Sequence, residues 1–239
     1  GEYSQVQAEV QKHDTEDLDI TIVPSEGVIS ENEPPAKALR QNPRASIAVA
    51  TGLVKEGHAD ACVSMGSTGA AMAAAAVILG VIEGINRPAL GGPIISMAPN
   101  TMVIDLGSNI DCRPSQLLSF AIIGHVYANE IWGIQNPRVG ILNVGSEEGK
   151  GNRLVRETSE ICAKSELNFI GSVEANELPL GKAEVIICDG FVGNVVMKLV
   201  EGMGNALSNE IMAKLQDKMP AAQVKELVEY IYAISNPAS

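Results

Sequence analysis

From Ser46 onward the chain repeats one pattern: a short run apolar at every position, a glycine-rich turn, then a segment with apolar residues at helical spacing. The apolar runs are Ala61–Val63, Met102–Ile104, Val139–Val144 and Val185–Ile187. The turns that follow them are Ser64 to Gly69, Asp105 to Asn109, Gly145 to Asn152 and Asp189 to Asn194. Runs with no polar alternation, interleaved with helices, predict a mostly parallel sheet covered on both faces, the doubly wound α/β architecture. The turns after the strands of such a sheet gather along one edge, so the four turns are expected to meet there and form the site.

The flanks differ from this repeat. The first forty residues predict a polar opening helix, a short strand at Asp19–Val23 and a loop carrying Pro34 and Pro35. Near the other end, Met203, Leu207, Ile211, Leu215 and Met219 recur every four residues, and Val224, Leu227, Val228, Ile231 and Ile234 continue the helical spacing beyond Pro220. These predict an α/β domain over residues 1–200 and a helical hairpin over 201–236. The hairpin's apolar face packs on its own domain or a second copy, or touches a membrane or another partner.

Composition narrows the picture. Aromatics make up 3% of the 239 residues against 46% hydrophobic, so the core is aliphatic. Lys and Arg number 17 against 29 Asp and Glu, a formal charge of −12 that opposes broad binding to nucleic acid. The four cysteines are far apart in sequence, without metal-ligand spacing, and read as buried thiols of a reducing compartment. With no long apolar run and no leader pattern, the expected location is cytoplasmic.

The turns carry the candidate chemistry. Glycine permits close approach of backbone to ligand, and a helix starting directly after the turn offers unpaired N–H groups to an anion. Ser64, Gly66, Ser67, Thr68 and Gly69 precede an alanine-rich helix and form either an anion cradle or a tight connection. Lys150 stands among Gly145, Gly149 and Gly151, with Gly151 where a P-loop requires Ser or Thr, so no P-loop is formed. It either contacts phosphate or a developing oxyanion, or is a solvated surface lysine. Asp105 and Asp189 end apolar strands, where they cap the next helix or support a site. There is no dinucleotide fingerprint, no nucleophile elbow paired with His13, His58 or His125, and no acidic cluster at ligand spacing. No cofactor and no metal are expected. An oxyanion substrate that is itself the nucleophile would need only positioning and charge stabilisation.

Six ordered segments carry more than their chemistry: SMGSTGA at 64–70, GINRPAL at 84–90, VIDLGSNIDCRP at 103–114, NPRVGILNVGSEEGKGN at 136–152, NFIGSVEANEL at 168–178 and CDGFVGNVVMK at 188–198. Together with PPAKALR at 34–40 and LVKEGHADA at 53–61, they closely resemble the bacterial phosphate acyltransferase (PlsX) family. The resemblance implies a Rossmann-like α/β/α fold akin to phosphotransacetylases and isocitrate dehydrogenases. It implies transfer of a long-chain acyl group from acyl carrier protein to inorganic phosphate, which attacks the thioester directly, for phospholipid synthesis. It further implies a homodimer, peripheral contact with the inner face of the membrane through the hairpin, and glycerol-3-phosphate acyltransferase as a partner.

Carried onto this chain, it makes Lys150 and Asn194 the catalytic pair. Phosphate or substrate then meets Ser64, Gly66, Ser67, Thr68, Gly69, Asp105, Asn109, Asn143, Gly145, Asp189, Gly190 and Gly193. Ser67 replaces the family's asparagine in its SAGNTGA turn. The family's DAMGGD segment and its C-terminal GGA region have no counterpart, so the chain is expected to be part of a longer protein. The nearest alternatives are a phosphotransacetylase-like enzyme using acyl-CoA and an inactive membrane-associated dimeric scaffold.

Overall fold

Three of the four predicted runs form strands in the computed structural model, which describes residues 1–147 and 149–235. The chain divides into two compact units, Gly1–Pro88 and the part from Ala89 onward.

In the second unit, a five-stranded sheet holds β1 (Gly91–Pro93), β2 (Met102–Ile104), β3 (Val139–Asn143), β4 (Phe169–Glu174) and β5 (Val185–Ile187). The order is β1-β2-β5-β3-β4, parallel throughout except for β1, which runs antiparallel to β2 at one edge. Residues Val103, Val139, Ile141, Val185, Ile186 and Ile187 are fully buried. Each such side chain stabilises the fold by about 1.5–3 kcal/mol relative to exposure. Burial on both faces is why these strands read as unbroken apolar runs.

Alternate residues along each strand enter different cores. Met102, Ile104, Val139, Ile141, Val185 and Ile187 join α5 (Pro114–Trp132) and α6 (Arg153–Cys162) on one face. Val103, Leu142 and Ile186 join Leu178 of a 3₁₀ segment, Ala175–Leu180, and the first turns of α7 (Gly190–Leu215) on the other. The helix α5 lies close to the sheet because Gly124 faces Val185, where an added methyl would overlap the valine side chain.

Two strands escape the apolar-run pattern. The first, β1, is Gly-Gly-Pro on an edge, where a proline without an N–H is tolerated. In β4 the run is interrupted by Gly171 at φ +86°, beside a register shift at Val139/Gly140.

The first unit holds α1 (Tyr3–Val10), α2 (Pro35–Gln41), α3 (Ser46–Lys55) and α4 (Thr68–Ala74), the last continued by a π-helical turn to Leu79. Its core is built mostly of alanines, Ala38, Ala45, Ala48, Ala70 and Ala74, with Ile29, Leu39 and Ile47. The expected strands at Asp19–Val23 and Ala61–Val63 are irregular and exposed or half-buried. Among the described residues neither has a neighbouring strand, and an isolated extended segment leaves its backbone groups to water. Pro35 opens a helix where a loop was expected, in the position where a missing N–H costs nothing.

The predicted hairpin is present, and its first helix begins earlier than its apolar spacing suggests. The long helix α7 starts at Gly190 and runs unbroken past residue 201. After Pro220, α8 (Ala221–Ser235) packs back against α7. Residue 236 lies outside the described residues. Leu199, Met203 and Leu207 remain exposed on α7. Among the described residues no helix is long and apolar enough to cross a membrane. The cysteines divide: Cys162 and Cys188 are buried, Cys112 is half-buried and Cys62 is exposed, contrary to the expectation for the last. Burial pushes the Cys162 thiol up to about 11.

Candidate functional site

Since β2, β5 and β3 are parallel neighbours, the turns after them share one edge of the sheet. The fourth predicted turn, Ser64 to Gly69, follows no strand and belongs to the first unit.

The turn after β2 is organised by one carboxylate. Asp105 is fully buried, behind a cis Ile104–Asp105 peptide. Its Oδ1 accepts from the backbone N–H groups of Leu90, Gly107 and Ser108 at 3.0–3.2 Å. Its Oδ2 accepts from the Asn109 N–H at 2.7 Å and the Asn109 amide at 2.8 Å. With five donors, the carboxylate shapes the loop, and Asn109 is held as part of that loop.

The turn after β5 interlocks with it. The Gly190 N–H donates to the Asn109 carbonyl at 2.8 Å. A Cβ on Gly190 would sit 2.9 Å from the Asn109 backbone, and one on Gly193 would overlap the Asp105 carbonyl. Only glycine admits this approach. Asp189 caps α7, its Oδ1 accepting from the Val192 N–H at 2.9 Å, and its carbonyl accepts from Gly193. The amides of Gly190, Val192 and Gly193 are therefore occupied internally. Asn194 is exposed on the first turn of α7, where a Cβ added to Gly107 would meet its side chain at van der Waals distance. Desolvation, with Asp189 and Asp105 nearby, pushes the Cys188 thiol up, so it is no nucleophile at neutral pH.

The turn after β3 supplies the cation. Asn143 holds it closed: its amide nitrogen donates to Ser172 Oγ at 2.9 Å and to the Lys150 carbonyl at 3.3 Å, while Oδ1 accepts from Val144. Gly151, at φ +94°, leaves room for that amide, since a Cβ there would lie 2.5 Å from Asn143 Oδ1. Gly145 is packed under Glu147. The Lys150 side chain is half exposed, its Nζ 3.6 Å from Glu147 Oε1. Glu148 lies outside the described residues. Asn152 caps α6 through the Val155 N–H at 2.9 Å.

Two cavities of about 470 Å³ each flank this turn. One is lined by charged and hydroxyl groups, Lys150 and Arg156 with Glu147, Glu160, Ser159 and Ser172, beside the ring of Phe169. The other lies toward α7, between Val144, Val155, Val192 and Val196. Arg156 lies outside the six segments and Ser172, though within NFIGSVEANEL, has no chemistry assigned by its spacing; only the packing of α6 and β4 brings them to the lysine. Sequence spacing also gave no sign that Asn143 is spent on holding the turn.

In the first unit, Ser64, Gly66 and Ser67 line a separate cavity of about 350 Å³. Their hydroxyls serve the backbone: Ser64 Oγ accepts from Gly66 at 3.2 Å and Ser67 Oγ caps α4 through Ala70 at 3.3 Å. Thr68 and Gly69 are exposed, with Gly69 against Pro35.

A mostly parallel sheet with glycine turns clustered at its carboxyl edge defines the doubly wound class of α/β proteins. The crystal structure of a phosphotransacetylase from Streptococcus pyogenes is similar at a TM-score of 0.58 and 19% identity, over 85% of this chain and 72% of that one. Such a likeness shows the fold.

Sequence relationships go further. The family model described as "Fatty acid synthesis protein" matches residues 1–231, and the chain belongs to that family. The phosphate acyltransferase of Dehalococcoides mccartyi is 47% identical over 197 residues, covering 82% of this chain and 56% of that protein. That of Bacillus cereus is 41% identical over 222 residues, covering 91% and 67%. The resemblance of the six segments is thereby borne out. The chain spans 56% and 67% of the length of these two relatives.

Proposed function

We propose that the protein transfers a fatty acyl group from a thioester to inorganic phosphate, releasing acyl phosphate for phospholipid synthesis. The observation that carries this reading is the family match over residues 1–231, joined to relatives named phosphate acyltransferase. A phosphate oxygen attacks the thioester carbonyl carbon, and the C–O bond forms as a tetrahedral oxyanion develops. The C–S bond then breaks, and the thiolate leaves and takes a proton from solvent. This chemistry needs no covalent enzyme intermediate, which suits a site where the nearby thiol, Cys188, is buried and protonated.

Lys150 holds phosphate or stabilises the oxyanion, and Asn194 is the second donor. The support is their position: both project from turns at the carboxyl edge of the sheet, Lys150 beside Arg156 in the first of the two cavities. Asp105, Asn109, Asn143, Asp189, Gly190 and Gly193 act by keeping those turns in shape. The acyl donor is a long-chain acyl carrier protein. The protein works as a cytoplasmic homodimer at the membrane's inner face, delivering product to a glycerol-3-phosphate acyltransferase. The exposed apolar residues of α7 support the contact with a second copy and with lipid.

The test is formation of acyl phosphate from labelled inorganic phosphate with palmitoyl-acyl carrier protein, palmitoyl-CoA and acetyl-CoA in parallel. Product from the carrier protein thioester is expected. Preference for acetyl-CoA would replace this reading with a phosphotransacetylase-like one, and no product from any donor would sink it.

A further inference from the structure

The two cavities beside the turn after β3 differ in chemistry, and the difference bears on what each can hold. Their partition is the hydrogen bond from Asn143 to Ser172 Oγ, since Asn143 lines one cavity and Ser172 the other. Lys150 and Arg156 line the first cavity. On the α7 side Leu142 is buried, Val155, Val192 and Val196 are half-buried, and Val144 is 83% exposed directly after the strand. Among the described residues no Lys or Arg lines this second cavity. The charged group of its lining, Glu174, has no cation to offset it there, whereas Glu147 and Glu160 in the first cavity lie with Lys150 and Arg156, so an anion is favoured only in the first. The cavity lies where the chain after β3 departs to one face of the sheet and the chain after β5 to the other, the switch point at which open α/β sheets take ligands. Its volume, about 470 Å³, falls within the range of small-ligand pockets, and alongside Asn143, Asn152, Asn176 and Glu174 its aliphatic side chains, Leu142, Val144, Val155, Val192 and Val196, form an apolar wall for a neutral hydrocarbon.

We propose that this cavity receives the hydrocarbon chain of the acyl group, with Val144, Val192 and Val196 setting which chain lengths are accepted. The inference rests on the acyl transfer proposed above. The thioester end lies at Gly151, one residue from Lys150, so the turn after β3 separates the chain from the anion. Binding the chain removes apolar surface of both partners from water, and each additional buried methylene favours longer substrates.

The experiment compares kcat/KM for butyryl, octanoyl and palmitoyl thioesters in the wild-type chain, Val196→Phe, Val196→Ala and Val144→Phe. A phenylalanine at either position occupies space the chain needs, and the palmitoyl-to-butyryl ratio is expected to fall about tenfold or more. Val196→Ala is expected not to lower it. Because Val144 is exposed, Val144→Phe keeps the fold should Val196→Phe disturb the core. Binding of free laurate, read as a rise in Tm, provides a measurement that does not depend on turnover; it is expected in the wild type and weakened in both phenylalanine variants. Unchanged chain-length ratios in folded, active variants overturn the assignment and leave acyl transfer standing. A wild-type chain that makes no acyl phosphate, yet binds laurate in a Val144-sensitive way, keeps the hydrocarbon site and loses the reaction. Absence of both laurate binding and a chain-length effect removes the site.

Discussion

Val185 and Val63 both belong to three-residue apolar runs that precede a glycine turn. Val185 is fully buried between β2 and β3, whereas Val63 is 89% exposed in a segment with no strand beside it. The second unit surrounds its runs with partners on both sides and helices on both faces. The first unit folds its helices onto a small alanine core and leaves its runs unpaired. A short β-branched run becomes a strand when its ladder and its two faces are supplied from elsewhere in the chain. The same contrast separates their turns: in the second unit they are locked by a buried carboxylate and interdigitating glycines, in the first by two hydroxyls at the surface.

Substitutions can break this contrast, and the largest effect is expected at Asp105. Asp105→Ala strands four backbone donors and the Asn109 amide, at a cost of at least about 3 kcal/mol, since each buried unsatisfied donor costs ~1–3 kcal/mol. Trp132, the single tryptophan, lies on α5 in the second unit, so urea unfolding followed by its fluorescence measures the loss. A midpoint equal to wild type would show that the loop does not depend on the carboxylate.

Lys150→Ala tests the same edge for chemistry. Turnover is expected to fall about a hundredfold, the scale of losing one preorganised oxyanion donor, with the Trp132 transition unmoved because the side chain is half exposed. Wild-type turnover would return Lys150 to the solvated surface.

The glycines sharpen the comparison. Gly193→Ala drives a methyl into the Asp105 carbonyl and is expected to destabilise by about 2–3 kcal/mol. Gly69→Ala meets only the edge of the Pro35 ring at 2.9 Å, and a cost below about 1 kcal/mol is expected, read by hydrogen exchange in the first unit. Equal effects would erase the distinction between an interlocked turn and a surface one.

The smallest effect concerns pH, at the opposite edge of the sheet. Burial raises the Glu184 carboxyl, but side-chain and backbone hydrogen bonds from Arg138 outweigh it, so its pKa is lowered in the folded state. A lowered folded pKa contributes stability at neutral pH that is lost as pH falls through the folded value. Acid unfolding is therefore expected to weaken the wild type below about pH 4.3, the ordinary glutamate value. Glu184→Gln is less stable by about 0.5 kcal/mol at pH 7 and has a flatter profile below that point. A mutant profile parallel to wild type would remove the pair from the acid response.

The parts of this fold legible in sequence are those with local causes. Glycine turns, caps such as Asp189 and Asn152, and uninterrupted apolar runs announce a doubly wound sheet. They also place three of the four glycine turns at its carboxyl edge, the candidate site. The strand β4 is hidden because Gly171 interrupts its run, and β1 because an edge strand of Gly-Gly-Pro carries no apolar signal.

Sequence alone determined the family and the class of fold, because each is written in residues close together along the chain. Tertiary structure decided how each polar group is used. Asp105 and Asn143 look like substrate ligands in sequence, yet their hydrogen-bonding capacity is taken up by Leu90, Asn109, Ser172 and Lys150. Those partners lie between 4 and 29 residues away. The separation of a cavity with two cations at Lys150 from one with an aliphatic wall at Val196 likewise exists only once α6, β4 and α7 have packed around a single turn. A run or a turn depends on neighbours in sequence, whereas the fate of a buried donor or acceptor depends on whatever distant segment arrives to meet it.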